Sequence, residues 1–314
     1  MTTLKVRTLE LKEYKQFELL RQNETPWPFV TDAFTHIWDL AYEIVPRAML
    51  SVEVENEWAG CAGYALAETD PDLAFMGVII KPEHRRQGLG QQVYAQLIER
   101  LQARKIRRVL TMVNTQQMAG LQFAARCGFQ EIGRTIYSEL DATAADIGAW
   151  DDPEQIVARQ NLRFTTLNRF PRRGLADRLL PIWNRTRPDQ PQYWPYVPIS
   201  ANRLEREVFE PEAIVWEHSF AIVTTENHIV GLTLNIHTAA NRLFTFYTAV
   251  DPDFRRQKLG LALKLKLIAH AQAQGMAGLA AENDAGNAAM WHINQQLGFY
   301  PLLEMVVYQK MLDK

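Results

Sequence analysis

The chain of 314 residues contains little cysteine and no long apolar segment. Its two cysteines, Cys61 and Cys127, cannot form a disulfide framework, and their apolar neighbours predict that both thiols are buried. No stretch of about 18 apolar residues offers a transmembrane helix, and the first residues lack the apolar core of a signal peptide. We therefore expect a cytoplasmic protein without a membrane partner.

An excess of charge of either sign is also missing, because 34 Lys and Arg residues face 36 Asp and Glu residues. The net charge of −2 argues against a protein dedicated to nucleic acids or to membrane surfaces. With 47% apolar residues the composition is that of a globular protein, and the length predicts about two domains. We expect no metal ion, and either a monomer or a homodimer.

One segment occurs twice and organises the chain. Residues 80–90 read I-K-P-E-H-R-R-Q-G-L-G, and residues 250–260 read V-D-P-D-F-R-R-Q-K-L-G. Gly128 and Gly298 are separated by the same offset of 170 residues as the two segments. The repeat predicts two copies of one domain, at 1–145 and 161–314, joined by an acidic linker at 146–160.

Apolar periodicity predicts the same order of elements in both halves. Each half begins with a strand, a helix, an irregular loop and a second helix, and continues with three strands before the repeated segment. A helix, a strand, a helix and a last strand follow it. The segment 261–273 is ambiguous by itself, since its apolar residues also alternate as in a strand, and the repeat decides for a helix.

The repeated segment lies at a predicted turn from a strand into a helix. The first N–H groups of a helix have no intrahelical partner, and the helix dipole is positive there, so such a turn attracts anions. The pairs Arg85–Arg86 and Arg255–Arg256 add charge that suits a pyrophosphate. Neither copy has the Lys-Ser/Thr of a Walker loop or the glycine spacing of a dinucleotide fingerprint, which argues against both nucleotide-binding classes.

The first copy, Arg85-Arg86-Gln87-Gly88-Leu89-Gly90, resembles the (Arg/Gln)-x-x-Gly-x-(Gly/Ala) motif of the GCN5-related N-acetyltransferase (GNAT) family. The second copy has Lys258 where the motif has its first glycine. A further family pattern, Asn-x-x-Ala-x-x-Leu-Tyr-x-x-x-Gly-Phe, is matched by Asn287 and by Gly298-Phe299, whereas the first half keeps only Gly128-Phe129. The chain resembles the tandem two-domain GNAT subfamily (a mycothiol-synthase-like arrangement).

This resemblance implies an α+β (mixed α/β) fold of two tandem GNAT domains, each a mixed, mostly antiparallel sheet flanked by helices. It also implies acetyl-CoA as the acyl donor and CoA as the product. The first half would contact the donor through Val78, Ile79, Ile80, Arg85, Arg86, Gln87, Gly88, Leu89 and Gly90. The second half would use Thr248, Ala249, Val250, Arg255, Arg256, Gln257, Lys258, Leu259, Gly260, Asn283 and Asn287. Asn283 either bonds the pantetheine arm or closes a turn.

The resemblance further implies that a neutral amine attacks the thioester directly, in a ternary complex. Backbone N–H groups near 78–80 and 248–250 would stabilise the oxygen as it gains negative charge. The tyrosine that the family often uses as an acid is replaced by Ala124 and Asn294. Asn294 either touches the coenzyme or is an ordinary residue of a helix face.

No catalytic base is assigned from the sequence. Tyr247, His237, Glu282 and Glu68 lie near predicted strand ends, and we keep Asn294 and Tyr247 as catalytic candidates. A tyrosine of a central strand is usually part of the core, and a histidine or glutamate near a strand end is usually solvated.

Two hypotheses on function stay open. The first is an acetyl-CoA-dependent N-acetyltransferase that acts on a small-molecule amine, with the C-terminal half favoured as catalytic by the habit of the family. The second is an acyl-CoA-binding or regulatory protein in which one or both halves are not catalytic. Aromatic loops at 26–29 and 193–198 either wall the acceptor site, where aromatic rings suit a cationic amine, or pack between the halves.

Overall fold

The computed structural model of the chain describes residues 4–24, 47–67, 69–190, 193, 196–209, 213–238 and 241–312. Its strands are β1 Leu4–Thr8, β2 Arg47–Val54, β3 Glu57–Leu66, β4 Leu73–Ile80, β5 Arg108–Asn114, β6 Gln130–Asp141, β7 Arg163–Thr166, β8 Phe220–Val223, β9 Ile229–Thr238, β10 Arg242–Val250, β11 Gly278–Asp284 and β12 Tyr300–Met311. Its α-helices are α1 Tyr14–Glu24, α2 Leu89–Ala103, α3 Met118–Arg126, α4 Pro153–Ala158, α5 Leu175–Thr186, α6 Ala201–Leu204, α7 Leu259–Ala273 and α8 Ala288–Gln296. None of the helices described here combines the length and the apolarity that a bilayer-spanning segment needs.

The structure confirms the mixed α/β fold and the internal repeat. Strand β5 and helices α2 and α3 recur as β11, α7 and α8 with the same lengths and the same offset of 170 residues, and β6 recurs as β12. The second helix predicted for the C-terminal half is short, because α6 ends at Leu204 and a π-helical turn, Glu205–Phe209, continues the chain. The loop at 26–29 and the helix predicted to follow it lie outside the described residues.

Helix α7 resolves the ambiguous segment in favour of the helix. Its alternating sequence has a physical reason, since α7 is buried on most of its circumference and not along one stripe. Leu263, Lys264 and Leu265 are consecutive and all buried. A helix that is enclosed in this way needs no amphipathic spacing, which explains why periodicity was a poor guide there.

Residue contacts divide the chain into two compact units. In the first unit the strands lie in the order β1-β2-β3-β4-β5, and residues 305–311 of β12 pair with β5. The pairings are antiparallel except for β4 with β5, which is parallel. Helix α2 packs its Val93, Leu97 and Leu101 into the core on this sheet, and each such buried side chain contributes about 1.5–3 kcal/mol to stability.

The second unit repeats this plan. Its strands lie in the order β7-β8-β9-β10-β11, and residues 135–141 of β6 pair antiparallel with β11. The pairing of β10 with β11 is parallel. Helix α7 packs on the sheet, and Ile156 and Val157 of α4 belong to the same core. The segment 146–160, expected to be only a linker, thus contributes a helix to this unit because two of its apolar side chains are buried.

The last strand of each sheet comes from the other half of the sequence. Met311 pairs with Arg108 in the first unit, and Asp141 pairs with Gly278 in the second, so both registers obey the offset of 170. The domain limits 1–145 and 161–314 describe the sequence repeat and stay a prediction. The contacts assign residues 135–145 and 305–312 to the opposite units.

Candidate functional site

The two copies of the repeated segment adopt one backbone conformation. Each contains a short 3₁₀ turn and then a residue at positive φ, which is Arg86 at 63° and Arg256 at 61°. The residue before the helix is also left-handed, with φ of 79° at Gly88 and 61° at Lys258. A side chain in this conformation costs about 1–2 kcal/mol, so Lys258 keeps the geometry of the loop at the expense of stability.

The first arginine of each copy is anchored to the end of the preceding strand. Arg85 Nε donates to the carbonyl oxygen of Ile80 at 2.7 Å, and Arg255 Nε donates to that of Val250 at 3.1 Å. Arg255 also forms an ion pair with Asp189 at 2.6 Å. These bonds fix both guanidinium groups beside the loop.

Helices α2 and α7 begin with exposed donor groups. Their first intrahelical bonds run from Gln92 to Gly88 and from Ala262 to Lys258, and neither Gly88 nor Lys258, the residue before each helix, caps it with a side chain. The N–H groups of the first three residues of each helix therefore await an acceptor. A Cβ atom on Gly260 would meet no atom closer than 4.0 Å, so packing within the protein does not demand glycine there. The missing Cβ leaves this space open for the close approach of a phosphate group, and the uncapped helix start beside two arginines fits a pyrophosphate.

Each sheet opens next to its loop. The parallel pairing of β4 with β5 ends at Phe75 and Leu110, and that of β10 with β11 ends at Thr245 and Ala281. Beyond these pairs the strands continue for five residues in β4 and β10, which creates a V-shaped opening at the carboxyl ends of the strands. A register shift between Thr245 and Tyr247 accompanies the opening in the second unit.

The backbone of β4 and β10 supplies donors to these openings. Lys81 N donates to Ala59 O of β3, and Asp251 N donates to Val230 O of β9. Because N–H groups of a strand alternate in direction, Val78 and Ile80 face the first opening, and Thr248 and Val250 face the second. The predicted contacts Ile79 and Ala249 direct their backbone groups to the other side.

The second opening has two carboxylates on one face of β11. Glu282 is the first residue beyond the parallel pairs, and it accepts a hydrogen bond from Tyr137, its neighbour on β6. Burial raises the pKa of Glu282 to about 7. Two residues on, Asp284 accepts a bond of 2.6 Å from the hydroxyl of Tyr193, whose pKa is raised by burial and by that carboxylate.

The first opening lacks this pair of acids. With the offset of 170, Glu282 corresponds to Met112, which is 41% exposed, and Asp284 corresponds to Asn114. Asn114 and Asp284 share one structural task, since each accepts from the backbone N–H two residues later, at 2.9 and 2.7 Å. The difference between the halves is therefore concentrated at Glu282 and at the Tyr193 contact.

The asparagines of the second half have separate places. Asn294 is fully buried, and its Nδ2 donates to Asn283 Oδ1 at 2.6 Å. Its Oδ1 has no partner among the described residues. Asn294 therefore orients Asn283 at the end of β11. Asn287 accepts from Met290 N and caps α8, which occupies its side-chain oxygen.

Tyr247 lies in the packed interior of the second unit and is 3% exposed. Thr186 donates to Ile182 O, so the 2.6 Å contact between Thr186 and Tyr247 requires the tyrosine to donate. Burial raises the pKa of Tyr247 to about 12. A phenol that is enclosed and already donating is poorly suited to proton transfer.

The remaining base candidates are not brought to the opening. His237 lies near the far end of β9, where it pairs with Leu243 near the start of β10. Glu68 lies outside the described residues, as do Trp194 and Pro195 of the aromatic loop. Within the described ranges, no group of three or more His, Cys, Asp or Glu side chains has an arrangement that holds a metal ion.

Sequence reasoning did not find Tyr137 and Asp284. For Asp284 the sequence did contain a signal. When the two halves are aligned at the offset of 170, Glu282 and Asp284 stand opposite the uncharged residues Met112 and Asn114. The hydrogen bond from Tyr137 had no signal, because it depends on β6 pairing with a strand from the other half of the sequence.

Comparisons with known proteins agree with this geometry. The family described as Acetyltransferase (GNAT) family matches residues 14–129 and 181–299. A tandem GNAT protein from the clavulanic acid biosynthesis pathway, solved without AcCoA, has a TM-score of 0.72 at 16% identity, with 99% of both chains covered. A GCN5-related N-acetyltransferase from Sphaerobacter thermophilus has a TM-score of 0.68 at 16% identity. The superposition covers 98% of this chain and 95% of the Sphaerobacter chain.

A third solved structure contains a GCN5-related glucosamine N-acetyltransferase region of a fungal multi-domain GH3 beta-N-acetylglucosaminidase. Its TM-score is 0.74 at 9% identity, covering 99% of this chain and 38% of that one. No curated protein matches the chain by sequence. At these identities the solved structures establish the fold, while the family match covers most of both halves. The chain belongs to the GNAT acetyltransferase family and carries two GNAT domains in tandem.

Proposed function

We propose that the protein is an acetyl-CoA-dependent N-acetyltransferase for a small-molecule amine, and that the reaction takes place in the second half. One observation carries this proposal. The opening between β10 and β11 has the Thr248 N–H on one strand and Glu282 on the other. An acyl transfer needs these two groups, one for the oxygen that gains charge and one for the proton of the amine.

The loop and the start of α7 bind the donor in this proposal. Arg255, Arg256 and Lys258 supply positive charge, and the first N–H groups of α7 bind the pyrophosphate of acetyl-CoA. Asn283, oriented by Asn294, has its amide nitrogen left to bond the pantetheine arm. The donor would supply the thioester, and the Thr248 N–H would donate to its carbonyl oxygen.

Glu282 prepares the nucleophile. An alkyl ammonium ion has a pKa of about 10.4, so at neutral pH the amine must lose a proton before it attacks. Glu282, with a pKa raised to about 7, accepts that proton directly or through one water. The amine nitrogen then forms a bond to the acyl carbon while the carbon–sulfur bond breaks. The nitrogen loses its second proton as the amide forms, and the leaving thiolate, whose thiol has an ordinary pKa of about 8.5, takes up that proton through water.

The first half supports a second function, which is binding of acyl-CoA without turnover. It has the same loop, the same uncapped helix and the same opening, yet Met112 stands where the second half has its base. Donor recognition through backbone groups survives this replacement, whereas proton transfer does not. Met112 lacks any group that accepts a proton at neutral pH.

The test measures release of CoA thiol from acetyl-CoA with a panel of small amines. We expect turnover by the wild type and a fall in kcat of about 100- to 1000-fold in Glu282→Gln, the usual contribution of a general base. Glu217→Gln, which changes an exposed carboxylate of the same unit, serves as the control and keeps wild-type kcat. Binding of acetyl-CoA without turnover of any amine would favour the second function for both halves. Full activity in Glu282→Gln would remove Glu282 as the base.

A further inference from the structure

A cavity of about 240 Å³ adjoins the loop of the second half. On one side it is lined by the loop residues Arg256, Gln257 and Lys258. On the other side it is lined by Asp151, Arg159 and Gln160, from the segment around α4. All of these residues belong to the second unit. The cavity is smaller than the roughly 300–1000 Å³ of sites for whole drug-sized ligands, so it fits one group of a larger molecule.

The charge of the cavity is positive. Three cations, Arg159, Arg256 and Lys258, face one carboxylate, Asp151, which leaves an excess of two positive charges. The ion pairs are long, at 3.7 Å from Arg159 to Asp151 and 3.9 Å from Lys258 to Asp151. Good charge-assisted hydrogen bonds are about 2.7–2.9 Å, so these cations are free to turn towards a stronger anion. A phosphate dianion matches both the charge excess and the size.

We propose that this cavity binds the 3′-phosphate of the coenzyme A donor; this inference rests on the proposed function of the second half. In coenzyme A the ribose carries the pyrophosphate at its 5′ position and a separate phosphate at its 3′ position. The two phosphate groups are therefore one sugar apart. The cavity shares Arg256, Gln257 and Lys258 with the pyrophosphate loop, and Arg159 and Gln160 reach the neighbouring group.

The consequence is selection of the donor class. Free coenzyme A thioesters carry the 3′-phosphate. Dephospho-coenzyme A lacks it, and an acyl group on a carrier protein is attached through phosphopantetheine alone. The second half thus selects free acyl-coenzyme A, and part of that selectivity comes from a segment that precedes its first strand.

The experiment compares acetyl-CoA with acetyl-dephospho-CoA in the full-length protein. We expect the wild type to use acetyl-CoA with a kcat/KM about tenfold higher, the value of one phosphate contact of roughly 1.4 kcal/mol. In Arg159→Ala we expect KM for acetyl-CoA to rise about fivefold and KM for acetyl-dephospho-CoA to stay unchanged. Arg159→Lys restores most of the preference. Arg173→Ala, an exposed arginine of the same unit that does not line this cavity, leaves both values unchanged.

Calorimetry with CoA and dephospho-CoA supplies a readout that needs no turnover. It is done in a Gly90→Asp background, so that the second half alone binds. A preference for CoA that disappears in Arg159→Ala supports the proposal even if no acceptor amine is found. Equal affinity for both compounds in the wild type, or an equal loss for both in Arg159→Ala, overturns it while the acetyltransferase function stands. Absence of any CoA binding overturns the proposed function itself.

Discussion

The two openings of this protein share a backbone and differ in chemistry. In both, a residue in the left-handed conformation precedes a helix that it does not cap. In both, a parallel strand pair separates, after three paired residues in the first opening and after four in the second. Beyond the parallel pairs, β11 carries the ionisable residues Glu282 and Asp284, whereas the described residues of β5 beyond Leu110 carry none. In the proposed function, the donor is bound largely by backbone groups, which most substitutions leave in place. Proton transfer depends on the single side chain of Glu282, so one substitution removes it.

The largest expected effect comes from removing the exchanged strand. Deletion of residues 305–314 takes away the partner of β5 over seven paired residues and leaves that edge unpaired. We expect the first unit to lose its cooperative unfolding transition and its binding of acetyl-CoA. The second unit keeps its own last strand, residues 135–141 of β6. Circular dichroism melting and calorimetry measure both effects.

A shorter deletion provides the control for this experiment. Removal of residues 313–314 leaves every pair between β5 and β12 and the buried Leu312 in place, and we expect it to preserve two-site binding. Retention of first-half binding in the longer deletion would contradict the role given to the exchanged strand.

A matched pair of glycine variants separates the two donor sites. Gly90→Asp and Gly260→Asp each place a carboxylate in the first turn of one helix, and an added Cβ atom meets no atom closer than 3.5 Å at either position. We expect each change to weaken acetyl-CoA binding in its own half by about 100-fold, through repulsion of the pyrophosphate. Calorimetry would then count two sites in the wild type and one in each variant.

Turnover distinguishes the same two variants. We expect Gly260→Asp to lose acetyl transfer, because donor binding in the second half is weakened. We expect Gly90→Asp to keep it, because the second half, with Glu282, is unchanged. Gly90→Asn and Gly260→Asn are the controls, since asparagine has nearly the size of aspartate and carries no charge. Loss of turnover in Gly90→Asp alone would move the chemistry to the first half.

The raised pKa of Glu282 predicts how activity and stability depend on pH. With the pKa of Glu282 raised from 4.5 to about 7, kcat/KM rises about tenfold per pH unit below pH 7 and levels off above it. Stability has the opposite trend. The folded state holds the extra proton between about pH 4.5 and 7, so this group lowers the free energy of unfolding as pH rises through that range.

Glu282→Gln therefore loses activity and gains stability. At pH 8 we expect the variant to be more stable than the wild type by about 1–2 kcal/mol, and at pH 4.5 we expect no difference. Chemical denaturation at the two pH values measures this. A variant that is less stable at pH 8 would show that the carboxylate has a structural role in its ionised form.

Sequence reasoning predicted the fold and the strand-to-helix turn of the repeated segment, because both depend on local patterns. The strand-to-helix turn, the arginines and the glycines lie within eleven residues, and the offset of 170 repeats them. The contact between Glu282 and Tyr137 was not predicted, because these two residues lie 145 positions apart on strands from different halves of the sequence. No local sequence pattern predicts the pairing of β6 with β11. Burial set the pKa of Glu282, and burial is a property of the folded chain.

The smallest expected effect concerns Lys258, the departure from the motif. Its φ of 61° is costly for any residue with a Cβ, so Lys258→Gly relieves strain in the native state. The added freedom of the unfolded chain offsets part of that gain, and we expect a net stabilisation of about 0.5–1 kcal/mol. Thermal unfolding measures it, with Lys258→Asn as the intermediate control, since asparagine tolerates this conformation. The reciprocal change, Gly88→Lys, should destabilise the protein by a similar amount. A loss of stability in Lys258→Gly would mean that the 3.9 Å contact of Lys258 with Asp151 outweighs the backbone strain. The loop of the second half would then be stabilised by an ion pair that the loop of the first half, with Gly88, cannot form.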